Sequence, residues 1–186
     1  MKKTHARTVT QRALAAAALL AAFVAADGAG AADDAAVARG SLADIRSLRR
    51  VALLVTRTRT VDARDPARVA VEHYERAAAG EPTRPHAGGH RAVARQLNKY
   101  IRKYRSMTAV PSAAEADFVI IFNVLRVRGS FIPNEPYIFG KLFVVARPPA
   151  PGQPPRLVWE SRGHDARLDD AVNGFIKALK AARGER

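Results

Sequence analysis

The hydrophobic pattern of the chain predicts four β-strands. Residues 51–55 (VALLV) are a compact run of β-branched and leucine side chains, which is typical of a buried strand. Two longer runs, 116–129 and 137–147, are apolar in the middle and alternate towards an end. Residues 156–161 (RLVWES) follow a proline-rich turn at 148–155 and can pair back on the third strand. Because loops join the last three strands, we expect them to form an antiparallel meander.

Two helices are predicted by apolar stripes that share one spacing. The stripes are Val93, Leu97, Tyr100, Ile101 and Tyr104 in the first helix and Leu168, Val172, Phe175, Ile176 and Leu179 in the last. Positions i, i+4, i+7, i+8 and i+11 lie on one side of a helix, so each helix has one face to bury. Asp169 and Asp170 begin the last helix and Lys180 lies near its end, as the helix dipole favours.

Residues 62–79 fit two interpretations. Asp65 and Pro66 can act as an N-cap followed by proline at the first helical position, which favours a helix. The alternation that includes Val69 and Val71 would instead suit a strand that pairs with the end of the first one. We favour the helix.

The order of these elements predicts an α/β (α+β) fold built as a two-layer sandwich. In this fold a mixed four-stranded sheet carries the two main helices on one face, in the order β-α-β-β-β-α. The first helix joins the first and second strands, so these strands should be parallel neighbours or near-neighbours. Two helices with one apolar side each require one covered face of the sheet.

The first 31 residues are typical of an export signal. Basic residues are followed by an uncharged apolar run, 13–26, which is too short to span a bilayer. Small residues at 29–31 offer a cleavage site, which would leave 32–186 as a single α/β domain. The chain has no cysteine, so we expect neither a disulfide nor a lipid anchor. These features predict a periplasmic, soluble protein that is exported and not lipidated.

The chain is strongly basic, with a net charge of +14 that falls to about +11 without its first 31 residues. Such a charge favours anionic partners, although it also suits a surface that arginine keeps hydrated. The candidate anion-binding residues are Arg91, Arg95, Lys99, Arg102 and Lys103 on the first helix and Arg57 and Arg59 after the first strand. Nucleic acid is not an expected partner, because Tyr100 and Tyr104 belong to the apolar stripe rather than to a stacking surface.

A second candidate surface lies on the third predicted strand, where large apolar side chains share a face with cations. The candidate partner-binding residues are Phe139, Lys141, Phe143 and Arg147 on that face, with Phe131 and Tyr137 nearby. If both helices cover the opposite face, Phe139 and Phe143 point outward and form an apolar patch rimmed by cations. In the competing interpretation, residues 62–79 fold over this face and bury it.

Histidine is the residue type on which catalysis or metal binding would depend in this chain. Beyond the signal, the histidines are His73, His86, His90 and His164. His86 and His90 are separated by glycines rather than placed on a helix, and we expect no metal and no cofactor. His164 precedes Asp165, which could orient its imidazole in a small hydrolase. The sequence has no Gly-x-Ser-x-Gly, Walker or His-Glu-x-x-His motif, so we expect a protein that is not an enzyme.

Three segments and the final helix carry a resemblance to a family of envelope domains. The segments are RRVALLV at 49–55, AEADFVIIFNV at 114–124 and RLVWES at 156–161, which contains Trp159. They resemble small Gram-negative periplasmic and lipoprotein α/β domains. That group includes the amino-terminal domain of the Tol–Pal translocation protein, the curli-secretion lipoprotein and the penicillin-binding-protein activator lipoproteins. The chain departs from the group in having no lipid-bearing cysteine and in its proline-rich turn at 148–155.

The resemblance implies a non-catalytic accessory or assembly module of the cell envelope. We therefore expect a periplasmic accessory or adaptor protein that binds an envelope protein. The first alternative is a protein that binds an anionic envelope polymer through the basic helix face. The second is a small hydrolase that uses His164 and Asp165.

Overall fold

The computed structural model describes residues 36–57, 65–81, 89–129, 137–163 and 165–185. Contacts divide the chain into two units between Ala36 and Val37, and the helices and strands reported below lie in the second unit. The predicted signal peptide and its cleavage site lie outside the described residues. No helix in the described part of the chain is both long and apolar enough to cross a membrane.

Three α-helices, six strands and a short 3-10 helix make up the described fold. They are, in chain order, the 3-10 helix Leu42–Ile45, β1 Arg50–Thr56, α1 Pro66–Ala78, α2 Gly89–Lys103, β2 Thr108–Ala109, β3 Phe118–Arg128, β4 Tyr137–Ala146, β5 Arg156–Glu160, β6 Ala166–Arg167 and α3 Leu168–Arg183. The four predicted strands and the two predicted main helices are all present. The segment with two interpretations forms α1, so its assignment as a helix is confirmed.

The sheet is mixed, with the strand order β2-β1-β3-β4-β5 and with β6 paired to β4. β1 runs parallel to β2 and β3, whereas β4 is antiparallel to β3, β5 and β6. The prediction of an α/β sandwich with a mixed sheet is therefore confirmed, but the described sheet has six strands rather than four. The two additional strands, β2 and β6, are two residues long, which is too short to produce a periodic sequence pattern.

The helices lie on both faces of the sheet. α2 and α3 cover one face, as predicted, where Leu97 and Phe175 are fully buried in one cluster with Leu142. α1 covers part of the opposite face, where Tyr74 packs in a second cluster that contains Phe143. The sheet is therefore covered on two sides over part of its area, which leaves the remainder of the second face for the site described below.

The start of α1 is determined by Asp65 and Pro66. The Asp65 carboxylate accepts hydrogen bonds from the backbone N–H groups of Ala67 at 2.9 Å and Arg68 at 3.3 Å. These bonds satisfy two of the donors that the first turn of a helix leaves free. Pro66 has no N–H to satisfy and already has a helical φ, so it suits the first position. These local signals explain why the segment becomes a helix despite its alternating valines.

The chain segment before the 3-10 helix covers the edge of the sheet at β5. The backbone N–H of Leu157 donates to the carbonyl of Ala38, and the Leu157 carbonyl accepts from the N–H of Gly40, both at 2.9 Å. The side chain of Arg39 adds an ion pair, with its Nη1 3.2 Å from Oε1 of Glu160. This segment gives β5 a parallel neighbour on its outer side.

Asp117 ties the start of β1 to the start of β3. Its Oδ2 accepts hydrogen bonds from the backbone N–H groups of Arg49 at 3.2 Å and Arg50 at 2.9 Å. Its Oδ1 accepts a further bond from Nε of Arg50 at 3.3 Å. Burial raises the pKa of Asp117, but the bonds from Arg50 and Arg49 outweigh it, so the pKa lies below its ordinary value of 3.8.

The lowered pKa of Asp117 predicts a specific acid sensitivity. The ionised carboxylate stabilises the fold above pH 3.8, and this contribution is lost as the pH falls through the lower folded-state pKa. Asp117→Asn should therefore be less stable than the wild type at neutral pH, and the difference should shrink below pH 3.8. Urea midpoints over a pH series test this, and a difference that stays constant throughout the series would contradict it.

Candidate functional site

The candidate site lies where β3 and β4 extend beyond the rest of the sheet. The pairing of β1 with β3 ends at Thr56 and Asn123, whereas β3 and β4 stay paired as far as Arg128 and Tyr137. Within this extension the register shifts by one residue, because Val124 pairs with Gly140 but Arg126 pairs with Phe139. The extra residue in β3 forms a β-bulge.

Gly140 makes the bulge possible. A Cβ at this position would lie 2.1 Å from the carbonyl oxygen of Asn123 and 2.9 Å from the ring of Phe122. Neither distance is compatible with a side chain, so the two strands approach this closely because residue 140 is glycine.

The bulge changes the face to which the last arginines of β3 belong. In an unbroken strand, Arg126 would share a face with Phe122 and Val124, which are buried under α2 and α3. After the bulge, Arg126 pairs directly with Phe139 and therefore lies on the opposite face of the sheet. Arg128 follows two residues later on the same face, opposite Tyr137.

Five side chains form a surface that we call the hairpin patch. They are Arg126, Arg128, Tyr137, Phe139 and Arg167. The guanidinium carbons of Arg126 and Arg128 lie 4.7 Å and 5.9 Å from the centre of the Phe139 ring. That of Arg167 lies 5.0 Å from the Tyr137 ring, and Tyr137 itself is 39% exposed. Cation–π contacts of this kind hold the arginines over the rings.

The hairpin patch carries more positive than negative charge. Arg126 forms an ion pair with Asp165, and Nη2 of Arg167 lies 3.6 Å from Oδ2 of Asp169. Asp169 also accepts a hydrogen bond from the hydroxyl of Tyr100, so its charge is shared with α2. Arg128 has no ion pair with any residue that the structure describes. The patch therefore presents a cation that no described residue neutralises.

Only some of the predicted partner-binding residues lie in the hairpin patch. Tyr137 and Phe139 belong to the hairpin patch, and Phe131 lies outside the described residues. The expectation that Phe143 points outward is wrong, because α1 lies across it and it is fully buried.

Lys141 and Arg147 also lie apart from the patch surface. The side chain of Lys141 is only 14% exposed, with its Nζ 2.8 Å from Oε2 of Glu160 and 5.3 Å from the centre of the Phe143 ring. The ion pair with Glu160 therefore holds Lys141 against the sheet. Arg147 is exposed but follows the other end of β4, where its backbone N–H donates to the carbonyl of Asp117.

The predicted anion-binding residues of α2 lie on its outer face. Arg95, Lys99, Arg102 and Lys103 are exposed, on the side opposite the buried Leu97. The first three line a cleft of about 350 Å³ together with Asn98. The side chain of Arg91 and all of Arg59 lie outside the described residues, and Arg57 is exposed directly after β1.

The described residues provide no catalytic arrangement for the hydrolase alternative. His164, the proposed base, lies outside them, and the carboxylate of Asp165 is paired with Arg126. His73 lies on α1, where burial and then the charge of Arg76 lower its pKa. Among the described residues, no three His, Asp or Glu side chains come together as metal ligands.

Comparison with known proteins adds no function. No family model matches the chain, and no curated protein matches it significantly. A hypothetical protein, CT253, from Chlamydia trachomatis has a solved structure that matches 61% of this chain and 69% of its own, at 15% identity and a TM-score of 0.22. A superposition that poor carries no argument about this chain.

Proposed function

We propose that this chain is a non-catalytic accessory protein of the bacterial cell envelope, which binds an acidic partner protein through the hairpin patch. The observation that carries the proposal is the arrangement of Arg126 and Arg128 against one ring, beside the half-exposed Tyr137. Arginine and tyrosine are the residues that dominate the binding energy of protein interfaces.

The geometry of the patch suits a protein partner in two respects. Arginines that already lie over Phe139 lose less freedom on binding than arginines that move freely in water. The charge of Arg128, which has no ion pair among the described residues, selects a partner with carboxylates, because opposite charges guide encounter and like charges repel. The proposed location in the periplasm is supported by the signal-like sequence of the first 31 residues.

Arg128→Glu should weaken binding of the partner by about thirtyfold, as for a residue that dominates an interface. This protein is recovered from the periplasm and used as the bait. A partner protein bound to it is cross-linked and identified. The two purified proteins are then titrated against each other. Lys177→Glu is the matched control, because it makes the same change of charge at an exposed position of α3. This helix covers the opposite face of the sheet.

Two results would overturn the proposal. One is a partner whose affinity is reduced equally by Arg128→Glu and Lys177→Glu, since that would indicate a response to net charge alone. The other is recovery of the chain only from the cytoplasm, with its first 31 residues still attached.

A further inference from the structure

We propose that the outer face of α2 is a second binding site, which takes a linear acidic polysaccharide. The exposed cations Arg95, Lys99, Arg102 and Lys103 follow one side of the helix. They span about 12 Å along the axis at a rise of 1.5 Å per residue. A group of cations along one side of a helix fits a ligand that carries several negative charges in a row.

Two cations of this row carry a charge that no described residue neutralises. Lys99 and Arg102 form no ion pair within the described ranges, whereas Arg95 makes a further contact of its own. The proposal therefore rests on Lys99 and Arg102. Both line the cleft of about 350 Å³ on this face of the helix. Asn98 lines the same cleft and offers an amide that can bind sugar hydroxyls.

The opposite side of α2 excludes two other kinds of anionic ligand. Val93, Leu97 and Ile101 are almost completely buried against the sheet, so this helix has no apolar face to insert among lipids. Tyr104 is buried and Tyr100 packs against the same core cluster, so neither ring lies on the outer face of α2 where bases could stack on it. What remains is recognition by charge and by polar hydrogen bonds, as an acidic polysaccharide requires.

The second site is independent of the first. α2 packs on the face of the sheet that contains Leu142, whereas Phe139 of the hairpin patch lies on the opposite face. A polysaccharide on α2 and a protein on the hairpin patch can therefore be bound at the same time. This goes beyond the proposed function, because it makes the chain a link between an envelope polymer and a protein.

Heparin and polygalacturonate are suitable probes, since both are linear and acidic but carry different anionic groups. The protein should bind both. The double variant Lys99→Glu with Arg102→Glu should weaken binding about tenfold or more at about 0.1 M salt, and should reduce the dependence of log Kd on log salt by roughly 1 to 2. The double variant Lys177→Glu with Arg46→Glu makes the same change of charge at exposed positions elsewhere and should keep most of the affinity.

Further experiments distinguish polysaccharide binding from the binding of other anions, and this site from the hairpin patch. Single-stranded DNA and anionic lipid vesicles should bind more weakly than the polysaccharides at equal salt. The proposal is overturned if either binds more tightly and is lost with the same two substitutions, or if both double variants lose affinity equally. Arg128→Glu should leave polysaccharide binding unchanged, so failure at one site is distinguishable from failure at the other. Circular dichroism establishes that each variant is folded.

Discussion

Gly140→Ala should lower the free energy of unfolding by about 3 kcal/mol and should disrupt the hairpin patch in the same step. The new methyl group would lie 2.1 Å from the carbonyl oxygen of Asn123. Because this contact is with backbone, it cannot be relieved by rotating a side chain. The strands must separate or the bulge must move, and either change takes Arg126 away from the ring of Phe139.

The Gly140 prediction is tested by urea unfolding together with binding to the partner. Gly129→Ala is the matched control, because it lies directly after β3 and a Cβ there meets no atom of the described residues within 4 Å. The control should keep both its stability and its affinity. A Gly140→Ala protein with wild-type stability and binding would show that the bulge does not depend on this glycine.

Arg183→Met should cost about 3 kcal/mol, although the residue lies at the end of the last helix. The Arg183 side chain is only 6% exposed. Its Nη1 donates to the hydroxyl of Tyr104 at 3.1 Å and to the carbonyl of Ser106 at 3.3 Å, and its Nη2 donates to the carbonyl of Leu48. One guanidinium thus connects α3 to the segment before β1 and to the end of α2. Removing it leaves two carbonyls without this donor.

Lys177→Met is the control for Arg183, since it removes a cation from an exposed position of the same helix and should change stability by less than about 0.5 kcal/mol. The two variants are compared by urea unfolding at neutral pH. Equal stabilities for the two variants would mean that the bonds of Arg183 are replaced by water at no cost.

The parts of the fold that could be predicted are those in which burial imposes a long periodic pattern. Leu97 and Phe175 are fully buried, as their stripes predict, because a helix with one apolar side has few alternatives. α1 was harder to assign because much of its buried face is alanine, which contributes little to a hydrophobic pattern. The two-residue strands β2 and β6 depend on neighbours that are distant in sequence, so no local pattern indicates them.

The candidate site was predicted in part, and its missing members have two causes. Tyr137 and Phe139 could be named because they follow the period of β4. Arg126 and Arg128 were not among the predicted residues, because alternation along β3 without the bulge would place them on the buried face with Phe122 and Val124. An isolated glycine in an apolar strand indicates such an irregularity, so Gly140 was the available signal. Arg167 joins the patch through the short strand β6, which no periodicity reveals.

The segment from Ala38 to Gly40 limits how far the N-terminus can be trimmed. Cleavage after residue 31 would leave residues 32–37 as a spacer ahead of it. A protease that cut past Gly40 would remove the hydrogen bonds to Leu157 and leave β5 as a bare edge. Bare edges recruit strands from other molecules, so such nicking should promote aggregation. Trimming of the N-terminus beyond Gly40 should therefore lower the solubility of the protein on storage.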